Sequence, residues 1–161
     1  MEIEIINGDI MKTDKDFIVQ QVNCSGFMGG GLAKTIMKRY DNVKREYKKF
    51  HKKALKNLND KSELLGCVNY VDVYDGKIIA NVFGQVDIRK GEGDKTVYTE
   101  KEDLFRGIEH VKSKAEVLGL SVAIPTYIGC GLGGGDWNTI KPGIEKIFEG
   151  SEVEVAFYHN R

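Results

Sequence analysis

The spacing of apolar positions along the chain predicts strands in several places. Apolar residues at Ile3, Ile5 and Ile6 indicate a short opening strand, and the runs 17–22, 121–126 and 153–158 indicate three more. The run 121–126 (SVAIPT) is almost wholly apolar, which is typical of a strand covered on both faces. Segment 64–85 holds two β-branched runs divided by Asp75 and Gly76, a dipeptide that supplies the positive φ angles of a tight turn. We therefore expect an antiparallel hairpin there.

Helical spacing fills the segments between these strands. Apolar residues recur at steps of three and four over 31–40, 42–58 and 104–118, and each pattern predicts an amphipathic helix. Thr99 and Glu102 match a capping box at the start of the third helix, and Gly119 stands where that helix should end. A last helix should begin between Asp136 and Thr139, because Pro142 then falls in its first turn.

The order of these elements predicts the fold class. Strands alternate with helices except at the hairpin, which favours an α/β fold with a mixed, mostly parallel sheet, one antiparallel hairpin and helices on both faces. Such a fold has three layers, α-β-α. Since the 161 residues contain no polar, low-complexity linker, we expect a single domain over 1–161.

Charge and cysteine content narrow the function classes. The chain carries 24 basic and 24 acidic residues, but segment 34–61 holds eleven Lys or Arg against three acidic residues. The apolar stripe of this segment favours a solvated helix face, so a nucleic-acid partner is not expected. Three distant cysteines form no disulfide or metal-binding spacing. With no apolar signal core or 18-residue apolar run, we expect a soluble cytoplasmic protein without membrane contact, metal or cofactor.

Glycine is concentrated at two places, each after a predicted strand and before a predicted helix. Of 19 glycines, nine fall in two clusters: Gly26, Gly29, Gly30, Gly31, and Gly129, Gly131, Gly133, Gly134, Gly135. In open α/β sheets such loops lie at the carboxyl ends of the strands, where ligands bind. Glycine lets backbone amides approach an anion, and a helix N-terminus adds partial positive charge. Two facing loops of this kind predict a diphosphate site. Neither loop has the pattern of a nucleotidase or a dinucleotide-binding protein, so conventional ATP hydrolysis is not expected.

Several motifs in this order resemble the macro domain. They are NGDI near the start, VNCSG at the end of a strand, GGGLA entering a helix, and IPTYIGCGLGGGDW before the last helix and strand. The resemblance spans essentially the whole chain and is greatest to single-domain members that include ADP-ribose-1″-phosphate phosphatases and hydrolases removing terminal ADP-ribose. It implies a macro-like fold with an ADP-ribose pocket.

The resemblance also implies a role for individual residues of the pocket. Asp9 would accept from the adenine amino group with Ile10 beside it, and Phe157 or Tyr158 would cover the adenine. Asn23 would bind the distal ribose. The residues expected around the distal ribose are Gly29, Gly30, Gly31 and Leu32, and those expected around the diphosphate are Ile128, Gly129, Cys130, Gly131 and Leu132.

The expected reaction is removal of a group from the ribose 1″ position. A phosphate group is expected ahead of a protein side chain as the group removed. In the branch that cleaves ADP-ribose from glutamate or thymine, a lysine ends the strand where this chain has Gln85, and an amide is no amine nucleophile. The first loop resembles that of the phosphatases, in which Gly30 and Asn23 would position the phosphate and ribose for attack by water. Asp136, also the predicted helix cap, and His159 are the candidate general bases.

Three alternatives remain open at this point. The domain could be a non-catalytic reader of free or protein-linked ADP-ribose, or a mono-ADP-ribosyl glycohydrolase. It could also be an RNA-binding domain that uses the basic helices. The expected partners are ADP-ribose or a derivative and, beyond that, an ADP-ribosylated macromolecule. Arg89, Lys90 and Lys95 lie on a predicted mobile loop that could close over the distal end.

Overall fold

The computed structural model describes residues 1–160 and contains six strands and four α-helices. In chain order they are β1 (Glu4–Asn7), β2 (Phe17–Asn23), α1 (Gly31–Arg39), α2 (Asn42–Leu55), β3 (Val68–Asp72), β4 (Ile78–Gln85), α3 (Lys101–Leu118), β5 (Val122–Pro125), α4 (Trp137–Phe148) and β6 (Val155–His159). Short 3-10 helices occupy Ile10–Lys12 and Lys61–Leu64. None of the described helices has the length and apolar character that crossing a membrane requires.

The strands form one mixed sheet in the order β1-β6-β5-β2-β4-β3. All neighbouring pairs are parallel except β3 and β4, which form the predicted hairpin. One hydrophobic cluster, which includes Ile36 of α1 and Tyr47 of α2, packs on one face of the sheet. A second cluster, which includes Ile108 of α3 and Ile144 of α4, packs on the other. The predicted three-layer α/β fold is confirmed.

Strand β2 lies in the middle of the sheet, between β5 and β4. Its residues Phe17, Ile18 and Val19 are fully buried, because helices cover both faces of a central strand. β5 runs parallel to β2, with Phe17 opposite Val122. Since parallel strands end at the same edge of a sheet, the loop after Asn23 and the loop after Pro125 emerge side by side.

The predicted capping box at Thr99 and Glu102 is wrong. Helix α3 begins at Lys101, and Glu100 is its N-cap without a side-chain hydrogen bond. The Thr99 hydroxyl instead donates to the Gly129 carbonyl at 2.7 Å and accepts from Nε2 of Gln21 at 2.9 Å. A tertiary contact thus takes the hydroxyl that local sequence assigned to the helix end.

Two helix boundaries also differ from prediction. Helix α2 ends at Leu55, earlier than the apolar spacing indicated. Helix α4 begins at Trp137 with Asp136 as its N-cap, which confirms the predicted start, but Pro142 then lies inside the helix, beyond its first turn. The cap holds because the Asp136 carboxylate accepts from the Asn138 amide at 3.0 Å.

The hairpin between β3 and β4 turns with a single residue of positive φ. Gly76 has φ +87°, whereas Asp75 is not among the residues of positive φ, contrary to the prediction that the dipeptide supplies both. The Gly76 amide donates to Val73 and the Val73 amide donates to Lys77, each at 3.1 Å. Such a turn, with glycine in the left-handed position, is a common longer hairpin connection.

Substitution of Gly76 by Ala should lower the free energy of unfolding by about 1–2 kcal/mol, the cost of placing a side chain in the left-handed region. No atom lies within 4 Å of a β-carbon built at Gly76, so the cost is conformational and not steric. Urea unfolding measures it. Gly93→Ala is the control, because Gly93 has equally open surroundings and no positive φ. An equal loss in both variants would show that backbone strain at residue 76 is not the cause.

Candidate functional site

The loops that follow β2 and β5 border one cleft of about 500 Å³. The loops also approach each other closely, since a β-carbon built at Gly30 would stand 3.2 Å from Cδ1 of Leu132. Members of the two glycine clusters predicted to face each other therefore line a single open space. Of the residues assigned to the pocket from the sequence, those that line this cleft are Asn23, Gly29, Gly30, Gly31, Leu32, Ile128, Gly129, Gly131 and Leu132.

Asn23 organises the first loop through its side chain. Its Oδ1 accepts from the Ser25 amide at 3.0 Å, and its Nδ2 donates to the Phe27 carbonyl at 2.6 Å. The buried Tyr47 hydroxyl donates to the Asn23 carbonyl at 2.7 Å and also lies 3.1 Å from Oδ1. Burial raises the pKa of Tyr47, so the phenol stays a neutral donor. Asn23 thus fixes the loop and still has one amide hydrogen for a ligand.

Internal hydrogen bonds also hold the second loop. The Gly135 amide donates to the Gly129 carbonyl at 2.8 Å, and the Thr99 hydroxyl donates to the same oxygen. Gly129 has φ +76°, and a β-carbon at Gly133 or Gly135 would come within 3 Å of the Gly129 carbonyl oxygen. Glycine is therefore required for the loop to fold back on itself.

Backbone amides remain unpaired in both loops. Within residues 1–160, the amides that donate to no protein acceptor include those of Gly29, Gly30, Ile128, Gly129, Gly131 and Leu132. Helix α1 starts at Gly31, so the free amides of its first turn lie at the same place. Such groups form a site for an anionic ligand, because they supply donors without a charged side chain.

The floor of the cleft is a network of neutral polar side chains. Nε2 of Gln21 donates to Oε1 of Gln85 at 3.2 Å and to the Thr99 hydroxyl, and Nε2 of Gln85 donates to the Asp87 carbonyl at 2.7 Å. Oε1 of Gln21 is buried and has no hydrogen-bond partner among the described residues. Gln85 stands at the end of β4, and its side-chain amide is engaged through both its oxygen and its nitrogen.

Segment 86–95 closes one side of the cleft and is held by Asp87. The Asp87 carboxylate accepts from the Ser25 hydroxyl at 2.7 Å and the Lys61 ammonium at 3.0 Å, and Lys90 stands 3.2 Å away. Hydrogen bonds from Ser25, the Ile88 amide and Lys61 lower the pKa of this carboxyl. Asp87 thereby ties the first loop to the segment that follows it.

Few charged side chains reach the cleft. Among the described residues that line it, Arg89 is the only basic one and Glu92 the only acidic one. Of the cations predicted to close over the distal end, Arg89 lines the cleft, Lys90 pairs with Asp87, and Lys95 lies outside the lining. Glu92 carries no sequence signal, since it is one of several charged residues in a polar loop.

Three of the predicted site residues do not line the cleft and instead make local structural contacts. The Asp9 carboxylate accepts from the Met11 amide at 2.9 Å, and Asp136 caps α4. The Cys130 thiol points to the Ile128 carbonyl, and burial raises its pKa to about 11. Ile10 is also absent from the lining, because its side chain is buried in the core.

The two aromatic residues proposed to cover adenine lie in the core. Phe157 is fully buried and packs edge-on against Trp137. Tyr158 packs into the cluster on the opposite face of the sheet, and its hydroxyl accepts from Thr13 at 2.7 Å. Alternation along β6 points successive side chains to opposite faces, and both faces are covered by helices. Neither ring lines the cleft.

Two aromatic residues that sequence reasoning left out lie at the rim of the cleft. Tyr127 is 54% exposed, has φ +61°, and packs its ring between Trp137 at 5.3 Å and His159 at 5.9 Å. Phe27 is 58% exposed, and its ring lies over Gly29. The sequence feature that indicates this exposure is their position inside the glycine-rich motifs. A large aromatic side chain has few neighbours to pack against there.

The pH dependence of stability should report the Asp87 interactions. A carboxyl with a lowered pKa stabilises the fold above its ordinary pKa of about 4 and loses that contribution as the pH falls through the folded-state pKa. Asp87→Asn should therefore be less stable than the parent protein at pH 7, and the difference should shrink between about pH 5 and pH 2. Urea unfolding across this range measures it. Asp41→Asn is the control, since the exposed Asp41 carboxylate makes no hydrogen bond or ion pair in the described chain. A difference for Asp87→Asn that stays constant with pH would contradict the assignment.

The sequence was compared with protein-family models and with curated proteins. No protein-family model matches the chain. A DNA ADP-ribosyl glycohydrolase of Mycobacterium tuberculosis is 26% identical in an alignment that is 166 residues long, gaps included, and that covers 94% of this chain. The chain spans 40% of the length of that relative.

Solved structures share the fold over nearly the whole chain. A Bacteroides thetaiotaomicron protein of unknown function has a TM-score of 0.82 at 25% identity, covering 99% of this chain and 98% of its own. The macrodomain of Mycobacterium tuberculosis DarG has a TM-score of 0.74 at 25% identity, covering 96% and 95%. Thermosipho africanus DarTG in complex with ADP-ribose has a TM-score of 0.76 at 21% identity, covering 96% of this chain and 40% of its own. This protein has the fold of these macrodomain structures.

Proposed function

We propose that this protein binds ADP-ribose in the cleft and hydrolyses a group attached to the ribose 1″ position. The observation that carries the proposal is the pair of glycine loops, which offer unpaired amides to one space of about 500 Å³. The cleft is large enough for a ligand of this size. A similar macrodomain protein holds ADP-ribose, and a curated relative is a DNA ADP-ribosyl glycohydrolase.

The central part of the ligand would be held by backbone dipoles. In this assignment the amides of Ile128, Gly129, Gly131 and Leu132 bind the diphosphate, and those of Gly29 and Gly30 meet the distal ribose. The partial positive charge at the start of α1 favours the same anion. Asn23 would use its free amide hydrogen on a ribose hydroxyl. Its other contacts keep the loop in shape whether or not a ligand is bound.

The adenine end would lie where β5 and β6 finish. Thr126 lines the cleft, its amide donates to the Tyr158 carbonyl, and its hydroxyl lies 2.8 Å from Nδ1 of His159. The Gly8 amide donates to the His159 carbonyl, which brings Asp9 to the same edge of the sheet. Asp9 has a second carboxylate oxygen for the adenine amino group. Tyr127, held between Trp137 and His159, takes the stacking role that Phe157 and Tyr158 are too buried to fill.

The chemistry would be attack by water, with Glu92 as the general base. Glu92 is the one carboxylate that lines the cleft among the described residues, whereas Asp136 caps a helix outside it. For a 1″-phosphate, water attacks phosphorus, Glu92 takes the water proton, and the phosphorus–oxygen bond to the ribose breaks. The 1″ oxygen leaves with a proton returned from Glu92, so the products are ADP-ribose and inorganic phosphate. Arg89 would stabilise the transferring phosphoryl group.

Two other functions compete with this assignment. An ADP-ribosyl glycohydrolase is favoured by the name of the curated relative, while Gln85 argues against an amine nucleophile in this cleft. A non-catalytic reader would bind ADP-ribose in the same way, without turnover. All three require the cleft to bind ADP-ribose.

Calorimetry and product analysis together test the function. We expect ADP-ribose to bind with a Kd in the micromolar range or below, and the protein to release phosphate from ADP-ribose-1″-phosphate. Glu92→Gln should lower the rate by about 10²–10⁴-fold, the range for loss of a general base, while ADP-ribose affinity changes little. Glu102→Gln is the matched control, because the exposed Glu102 lies on α3, away from the cleft.

Each outcome has a separate meaning. Absence of ADP-ribose binding at high micromolar ligand would overturn the whole proposal. Binding without release of phosphate would exclude the phosphatase. An ADP-ribosylated protein and an ADP-ribosylated oligonucleotide, tested for release of ADP-ribose, then separate the glycohydrolase from the reader.

The role of Tyr127 gives a second test of the proposed pose. Tyr127→Ala should weaken ADP-ribose binding about tenfold or more, since stacking of a base on an aromatic ring contributes about 1–3 kcal/mol. Tyr127→Phe should retain the affinity, because the ring and not the hydroxyl makes the contact. Tyr74→Ala is the control, since Tyr74 is 78% exposed and lies outside the cleft lining. Unchanged affinity in Tyr127→Ala would place the adenine elsewhere.

A further inference from the structure

Helices α1 and α2 together present a strongly basic surface, which we call the basic face. Its members are the exposed cations of the two helices and of the residue after α2: Lys34, Lys38, Arg39, Lys44, Arg45, Lys48, Lys49, Lys52, Lys53 and Lys56. None of them forms a salt bridge to a described residue. Of the acidic side chains on this stretch, Asp41 is exposed and Glu46 is half-buried.

Folding of the domain does not account for this charge. The opposite sides of the two helices supply the packing, through Ile36, Tyr40, Val43 and Tyr47, each fully buried. The whole chain has no net charge, so the excess of positive charge here is matched by negative charge elsewhere. Concentrating unpaired like charges on one face raises their mutual repulsion, which an anionic partner would relieve.

The basic face borders the cleft on α1, and α2 contacts the first loop. Leu32 and Ala33 line the cleft, and Lys34 follows them on α1. On α2, His51 Nε2 lies 2.6 Å from the Cys24 carbonyl oxygen in the first loop. The sequence alone favoured a solvated helix face for segment 34–61, which includes the cations of both helices. The fold adds that α1 begins at the cleft and that α2 contacts the first loop.

The composition of the surface favours a phosphate backbone as its partner. No large apolar side chain is exposed on α1 or α2 in the described chain, so the face has nothing to insert into a lipid bilayer. Lysine makes up eight of the ten cations, and its flexible point charge suits phosphates without fixing a sequence. The exposed ring of Phe27 lies in the first loop and lines the cleft, so an unpaired base can stack on it.

We propose that the basic face binds the backbone of a single-stranded nucleic acid without sequence preference and holds it beside the cleft. Binding to the face is independent of any activity. That the bound strand carries the ADP-ribose group rests on the proposed function of the cleft. The predicted partner of this domain is then an ADP-ribosylated nucleic acid.

Fluorescence anisotropy with a labelled single-stranded oligonucleotide, as DNA and as RNA, tests the proposal. The triple variant Lys44→Glu, Lys48→Glu, Lys52→Glu reverses one stripe of the basic face, since these residues are spaced four apart on α2. It should weaken binding at least tenfold and reduce the salt slope, log K against log salt, by about two, as expected for loss of three phosphate contacts at about 0.7 each. A control triple variant, Lys101→Glu, Lys112→Glu, Lys146→Glu, makes the same charge change on α3 and α4, which pack on the other face of the sheet, and should change binding less than threefold.

Calorimetry with ADP-ribose accompanies every variant. Unchanged ADP-ribose affinity in both triple variants shows that they are folded and separates failure of this proposal from failure of the proposed function. Equal weakening in the two triple variants, or no oligonucleotide binding by the parent protein at low salt, would overturn it. Binding is also measured for two other polyanions. One is a phosphatidylserine vesicle, and the other is free polyglutamate. Binding of either as tightly as the oligonucleotide would show a general anion surface and also overturn the proposal.

Discussion

The parallel pairing of β2 with β5 is the constraint on which the site depends. Phe17 and Ile18 pair with Val122 and Ala123, and from this register both strands run to the same edge of the sheet. The two glycine loops come together there although about a hundred residues separate them in sequence. Burial of the central strands on both faces fixes the register, because a slip by one residue would exchange the side chains of the two hydrophobic clusters.

Once the loops are side by side, a few buried hydrogen bonds give them their shape. Tyr47 and Asn23 hold the first loop from the α2 side, and Thr99 holds Gly129 of the second from the start of α3. Each bond contributes about 1 kcal/mol, but leaving such a group unpaired in the interior costs more. These bonds hold the loops while several of their amides stay unpaired, so under the proposed function the entropic cost of ordering the loops falls on folding and not on ligand binding.

Local patterns predicted the elements and the two loops but not the contacts between distant parts of the chain. Thr99 matched a capping box, and its hydroxyl turned instead to Gly129, thirty residues away. Phe157 and Tyr158 were predicted to cover the adenine because they lie near the end of a strand. Only the three-layer fold shows that helices cover both faces of the sheet to which β6 belongs. Tyr127 has a backbone conformation that propensity disfavours, and the neighbours that support it, Trp137 and His159, come from other elements.

Two kinds of electrostatics are separated in this molecule. Inside the cleft the unpaired donors are backbone amides, with one basic and one acidic residue in the lining, Arg89 and Glu92, so in the proposed function recognition there depends on dipoles at short range. On the basic face the cations are exposed and form no salt bridge to a described residue, so their attraction acts over about a Debye length and falls with salt. If both proposals hold, a small nucleotide needs only the cleft, whereas a long polyanion gains from both surfaces. The first loop lines the cleft and contacts α2, so through its conformation binding at one surface would affect the other.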